Sequence, residues 1–259
     1  MARKWATMLI IASVVSLAAA GCLGEPEPDL SLERLKQTGE LVIGIDPSYP
    51  PFEGYDEKGQ LVGYDVDLSA ELASRLGAQP SFVAIDMGGI IDALIAKKID
   101  VIISSLSPYP EYSKQLAYSR AYFDAGQVIV VRADSTEVTD LDSLKGKTIT
   151  LESGSGADLE MSKHVKRLEG TTVRPMMTAQ QALSEVREGR AGAAVVDAIS
   201  ALEFVRSDRG LKIVGRPITE EPFVIAVRRQ DQALLKAIDM ILAEMQADGS
   251  LDRLQKKWL

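Results

Sequence analysis

Two α/β units in tandem are the fold this sequence predicts, and three observations predict it. From residue 41 to 107, short β-rich runs alternate with amphipathic helical runs. The same alternation restarts after Val131. No long Gly/Ser linker separates the two stretches, so they read as two lobes of one body. The chain has 259 residues, 46% hydrophobic and 25% charged, which allows two lobes of roughly 100 residues each to bury a core.

Each element has a local reason. Residues 41–45 (LVIGI) read as a buried strand. A helix over 65–76 places Leu68, Leu72, Ala73 and Leu76 on one face and stops at Gly77. A strand over 81–85 follows, then a helix marked by Ile90, Ile91, Leu94 and Ile95, then a strand over 100–104. In the second unit, strands over 148–151, 172–176 and 193–196 alternate with helices over 157–168, 180–188 and 198–207. That order predicts parallel sheets covered by helices. Two more β runs, 128–131 and 223–227, flank the second unit and are expected to cross between lobes. Helices over 232–246 and 251–258 then return to the first lobe. The expected boundaries are 1–21 for a leader, 22–34 for an anchor and tether, 35–128 for lobe 1, 129–222 for lobe 2 and 223–259 for the return.

The N-terminus carries its own signal. Arg3 and Lys4 precede a run over 5–20 that is apolar apart from Thr7, Ser13 and Ser16, the order of a secretory signal peptide. Residues 17–22 (LAAAGC) resemble the lipobox of bacterial lipoproteins, which implies lipidation of Cys22 as the first mature residue. The alternative is an ordinary signal peptide cut at Ala20 or Gly21. Cys22 is the only cysteine, so no intramolecular disulfide forms. Residues 23–30, with Glu25, Pro26, Glu27 and Pro28, read as an acidic tether. Removal of residues 1–21 takes Arg3 and Lys4 with it and moves the formal charge from −8 to near −10. Such a charge disfavours nucleic acid and anionic membrane surfaces as partners. Beyond the leader no run of about 20 apolar residues occurs, so membrane attachment is expected through the lipid alone, on a monomer.

In open parallel sheets, ligands bind beyond the carboxyl ends of the strands. Here those ends carry Asp46, Asp86 and Ser104-Ser105 in the first unit, and Glu152, Ser153-Gly154-Ser155-Gly156 and Asp197 in the second. Facing each other, they make a cleft for a small polar solute. One His and one Cys provide no usual N/S metal set. Gly154-Ser155-Gly156 lacks the Lys and spacing of a phosphate-binding loop, and Ser104, Ser105 and Ser107 have no His nearby in sequence for nucleophilic catalysis. His164, between Lys163 and Lys166, reads as solvated surface, as do Arg228-Arg229 and Lys256-Lys257. Leu251 and Trp258 read as packing.

Residues 41–67 (LVIGIDPSYPPFEGYDEKGQLVGYDVD) resemble the opening of bacterial extracellular solute-binding proteins of family 3, the polar amino acid binders of ABC importers. The resemblance continues through 88–107, 121–132, 141–160, 189–198 and the terminal MQADGSLDRLQKKW, and so covers the chain from about residue 35. It implies a periplasmic binding protein fold of type II, two lobes with two hinge crossings, each lobe a sheet flanked by helices, that closes on its ligand. It also implies an extracytoplasmic location, permease partners and no cofactor. Residue by residue, it implies that Asp46 and Tyr49 line the pocket with Phe52 close by. Ser105 and Ser107, flanked by Ser104, would bind the ligand's amino and carboxylate groups. Ser155 and Gly156 would offer amides to a carboxylate at a helix N-terminus, and Asp197 would pair with the α-ammonium.

Three positions depart from that pattern. Tyr112 stands where family members that bind α-amino acids usually carry a carboxylate-clamping Arg, and a phenol brings no charge. Met87 replaces the usual stacking aromatic, and Glu152 stands where Gln, Lys or an apolar residue is common. A pocket that loses a cation and keeps Asp46, Glu152 and Asp197 predicts a net cationic ligand: a basic amino acid, amine, guanidino or quaternary ammonium compound. Tyr49, Tyr109 and Tyr112 would offer cation–π faces. An ordinary amino acid stays open, its carboxylate held by Ser107 and the Ser155-Gly156 amides with help from Arg120. Two other classes stay open: a cyclohexadienyl dehydratase-like enzyme with Glu152 or Asp197 as general acid, and a free ligand sensor for a membrane receptor.

Overall fold

A computed structural model describes residues 29–259. The leader and the expected anchor at Cys22 lie outside the described residues. The expected tether ran to residue 34, but α1 (Ser31–Thr38) already belongs to lobe 1. Asp29 Oδ1 accepts the Ser31 N–H at 3.0 Å, and the helix buries Leu35 in the lobe 1 core.

The first lobe starts with β1 (Glu40–Ile45), a small hairpin of β2 (Gly54–Tyr55) and β3 (Leu61–Val62), and α2 (Tyr64–Arg75). It continues with β4 (Gln79–Ala84), α3 (Met87–Ile95), β5 (Val101–Ile102) and β6 (Leu116–Tyr118). The chain then crosses through β7 (Phe123–Asp124) into β8 (Gln127–Arg132). Lobe 2 adds β9 (Thr148–Glu152), α4 (Gly156–His164), β10 (Thr172–Met176), α5 (Ala179–Arg187), β11 (Ala193–Asp197), α6 (Ala198–Ser207) and β12 (Leu211–Val214). Return is through β13 (Pro222–Phe223) to β14 (Ala226–Arg228), α7 (Gln232–Ala247) and α8 (Ser250–Trp258).

Each lobe holds a five-stranded sheet, ordered β4-β1-β5-β14-β6 and β10-β9-β11-β8-β12. The sheets are mixed, not purely parallel as expected: β14 and β8 run antiparallel to their neighbours. The connection explains it. A strand reached through a helix ends at the cleft, whereas a strand arriving from the other lobe starts there. Gln127, first in β8, accordingly pairs with Asp197, last in β11. The crossings themselves are β7 and β13, an antiparallel ribbon in which Phe223 faces Phe123. At this ribbon a Cβ on Gly126 would stand 2.0 Å from the Thr219 carbonyl oxygen, so the two segments approach only because residue 126 has no side chain.

One apolar cluster runs from Leu41, Ile43 and Leu68 through Phe52, Phe123 and Phe223 to Val128, Val130 and Val196, joining the lobes. Phe52 packs edge-on against Phe123 (5.1 Å) and Phe223 (5.3 Å); such pairs add about 0.5–1.5 kcal/mol each beyond area burial. Leu251 is buried and the Trp258 indole N–H donates to Asp67 at 2.7 Å, in keeping with a packing role. Two basic residues differ from the surface reading. Arg228 is only 3% exposed, with carboxylates of Asp231 and Asp100 at 2.6 and 3.8 Å. His164 is half-buried in contacts with Glu160 (2.8 Å) and Arg167 (2.7 Å), one helical turn away on either side.

Candidate functional site

Asp46 follows β1 directly, and its Oδ2 accepts the Met87 N–H at 2.7 Å, at the start of α3. The Asp46 N–H in turn donates to Ser104 Oγ at 2.9 Å, and that hydroxyl donates to Glu53 Oε1 at 3.0 Å. Ser104 and Phe52 are completely buried, so both support the cleft wall from behind instead of facing a ligand. Phe52 backs Tyr49, whose ring stacks on it at 5.7 Å and 10°. Tyr49 itself is 44% exposed. Burial first, then the negative charge of Asp197 and, after it, of Glu203 and Glu221, pushes its phenol above the ordinary value. Carboxylates of lobe 2 and of the return crossing thus converge on one aromatic ring.

The serine loop differs in detail from expectation. Ser105 has φ +46°, in the left-handed region that non-glycine residues avoid. Its N–H points inward and donates to Asp65 Oδ2 at 2.6 Å, so it is not offered to the cleft. Ser107 is exposed. Met87 and Tyr112 are half-buried against the cluster of Ile90, Leu94 and Leu106. The rings of Tyr112 and Tyr109 meet edge-on at 6.3 Å. Arg120 is no part of this region: its N–H donates to Asp239 of α7, and it lines a groove with Leu235, Lys236 and Met240.

In lobe 2 every expected polar group sits at a helix start. Glu152 ends β9 and its Oε2 accepts the Ala179 N–H of α5 at 3.2 Å. Ser155 caps α4, accepting the Asp158 N–H at 3.3 Å, beside exposed Gly156. Asp197 caps α6, its Oδ1 accepting the Ser200 N–H at 2.8 Å. Asp46, Glu152 and Asp197 therefore each commit one oxygen to an orphan backbone donor at a helix N-terminus. Three residues at this site went unnoticed in the sequence. Glu203 and Glu221 act on Tyr49, and Gln127 places its side-chain amide 3.5 Å from Glu221 and beside Gly156. Gln127 carried a usable signal as the polar first residue of an apolar strand; the two glutamates carried none.

Among the described residues no group of acidic, His or Cys side chains forms a metal site, and no helix is long and apolar enough to cross a membrane.

The model of the family described as bacterial extracellular solute-binding proteins, family 3, matches residues 41–259. The L-cystine-binding protein of Escherichia coli K12 is 30% identical over 229 residues, covering 88% of this chain and 85% of that protein. Among solved structures, an ancestral arginine-binding protein bound to arginine is 38% identical with a TM-score of 0.51, covering 85% of this chain and 98% of its own. An ancestral cyclohexadienyl dehydratase is 25% identical with a TM-score of 0.77, covering 88% and 95%.

Proposed function

Because the chain belongs to the bacterial extracellular solute-binding proteins of family 3, we propose that it is the substrate-binding component of an ABC importer and captures a basic amino acid or related cationic amine between its lobes. The observation that carries this reading is the set of carboxylates at the strand ends, Asp46, Glu152 and Asp197, each with one oxygen bound to a helix N–H, together with the charge of Asp197 acting on the Tyr49 ring. A cation over that ring gains about 0.5–2 kcal/mol, and a hydrogen bond from an ammonium to Asp197 about 1.5–3 kcal/mol. Asp197 takes the ammonium with the oxygen that α6 leaves unused. Where the ligand has an α-carboxylate, the Ser107 hydroxyl and the α4 N-terminus at Ser155-Gly156 receive it. Tyr112 adds no charge to that end, which shifts the weight of recognition to the amine.

Catalysis is the weaker reading. A prephenate-like substrate is a dianion, and a cleft lined by carboxylates without a clamping Arg repels it. The remaining parts of the proposal are lipidation at Cys22, attachment to the extracytoplasmic face of a bacterial membrane, and delivery of the closed protein to permease subunits.

Titration calorimetry with L-arginine, L-lysine, a polyamine, betaine and L-glutamine tests the ligand class. Tight binding of one or more cationic compounds and weak binding of L-glutamine are expected; tight binding of L-glutamine alone sinks the cationic reading. Turnover in a dehydratase assay would displace the binding function altogether.

A further inference from the structure

Beneath the cleft wall of lobe 1, two carboxyl groups are buried together. Asp65 is 0% and Glu53 1% exposed, and neither is in an ion pair with Lys, Arg or His among the described residues. Asp65 Oδ2 accepts the Ser105 N–H (2.6 Å), the Ser105 hydroxyl (3.2 Å) and the Tyr122 hydroxyl (2.9 Å). Its Oδ1 is buried and receives nothing from those donors. The Glu53 carboxyl is its neighbour: the Ser105 hydroxyl lies between Asp65 Oδ2 (3.2 Å) and Glu53 Oε2 (3.4 Å), so the two buried carboxyls meet across one side chain, close enough for each to act on the other. A buried pair without a cation does not ionise twice.

We infer that Glu53 and Asp65 hold one proton between them and act as the positioning node of the ligand cleft, locking the Tyr49 turn, the Ser104-to-Ser107 loop and the outgoing crossing to one another. Asp65, whose Oδ2 accepts the Ser105 N–H and the Tyr122 hydroxyl, is the anion; Glu53 carries the proton. Burial, followed by the charge of Asp65, drives Glu53 far above the usual carboxyl range, in the same sense. Geometry ties each segment to the pair. The Glu53 and Tyr49 backbones bridge at 3.1 Å in both directions. Ser104 links Glu53 to the Asp46 N–H, and Asp65 holds Ser105 in its left-handed turn. One residue on, the Leu106 carbonyl accepts the Val224 N–H at 2.9 Å, so the same loop reaches the return crossing. Tyr122 belongs to the outgoing one. The other titratable groups facing the pair are phenols: Tyr122, Tyr64 stacked on it at 6.1 Å, and Tyr49; Asp252 of α8 acts on Tyr64 from farther out.

The proton can be tested without any ligand. Folded Glu53 keeps a proton that the unfolded chain loses near pH 4.3, so the folded state binds more protons at neutral pH. This contribution is fully present below the unfolded value and is lost as pH rises toward the folded one, about tenfold in the folding equilibrium constant per pH unit. Burial also lifts Asp65, to about 6, so urea denaturation of the wild type and of Glu53→Gln is compared from pH 7 to 9, where Asp65 is ionised and the slopes should differ by one proton, since the amide keeps a donor and never ionises. Equal slopes overturn the shared proton. Should the variant not fold, carbon NMR of glutamate-labelled wild type replaces it: one glutamate carboxyl remains protonated at pH 7, and titration of all of them in the ordinary range overturns the inference. Positioning is read by exchange of the Ser105 amide, slow in wild type and Glu53→Gln and accelerated in Glu53→Ala; the same rate in all three removes the positioning role. The bearing of this node on a ligand rests on the function proposed above. Failure of L-arginine to bind, with slope and exchange as expected, removes that function and leaves the dyad in place.

Discussion

Asp197 accepts the Ser200 N–H with one carboxylate oxygen, which leaves the second for whatever enters the cleft. The two tasks separate in Asp197→Asn. Asn and Asp cap helices about equally, so stability should stay within about 0.5 kcal/mol of wild type. Loss of the charge should weaken L-arginine by about tenfold or more, the equivalent of a charge-assisted hydrogen bond. Melting and calorimetry together check this, and an unchanged affinity would separate Asp197 from ligand recognition. That Asp46, Glu152 and Asp197 stand at strand ends was legible from the sequence, because each is the first charged residue after a β-rich run. What each one holds was not legible, since the donors at Met87, Ala179 and Ser200 belong to helices whose starts had to be placed in space. Ser104, Ser105 and Ser107 looked interchangeable. Only the φ of +46° at Ser105 separates a buried hydroxyl, an inward amide and an exposed side chain.

At the scale of elements, strand direction and one buried arginine were the main surprises. The helical and strand periodicities placed most elements within a few residues, but missed short pieces such as β2, β3 and β7, which are too brief to show a period, and ran β13 and β14 together over 223–227. Arg228 ends β14 next to exposed Arg229, and two adjacent arginines look like surface. Instead the Arg228 guanidinium donates to the Leu94 carbonyl (3.1 Å) and the Ile99 carbonyl (2.6 Å), where α3 ends and the chain turns into β5. Its position among α3, β5 and β14 follows from the order of the sheet, which puts β14 beside β5. Asp100, within reach of Arg228, also pairs with Arg34 of α1 and accepts the Val42 N–H at 3.1 Å. Arg228→Met should cost about 3–5 kcal/mol by leaving Asp231 and Asp100 without their buried partner. Urea denaturation measures it; a loss below about 1 kcal/mol would mean that these carboxylates are already satisfied by other groups.

For the whole molecule, the two lobes share an apolar cluster at the crossings but keep separate sheets, so a rotation about β7 and β13 is expected to move the sheets as rigid bodies. A second contact between lobes lies outside the crossings: Arg206 of α6 donates to the Trp258 carbonyl at 3.1 Å, beside Leu202, Val205 and Leu259. Saturating L-arginine should shift the population toward the closed form. Small-angle scattering should then show the radius of gyration falling toward about 18 Å, the value for a compact chain of this length. Binding without any fall in radius would show that capture does not require closure.

The sequence by itself determined that there are two α/β lobes and which residues stand at the strand ends. Those features rest on local periodicity and residue chemistry, which are written along the chain. Tertiary structure alone decided the reversed strands β8 and β14, the inward turn of Ser105, the burial of Arg228 and the meeting of Glu53 with Asp65. Each of these joins groups distant in sequence, and whether a carboxylate is a ligand contact, a helix cap or half of a proton-sharing pair depends on which neighbour the fold brings to it.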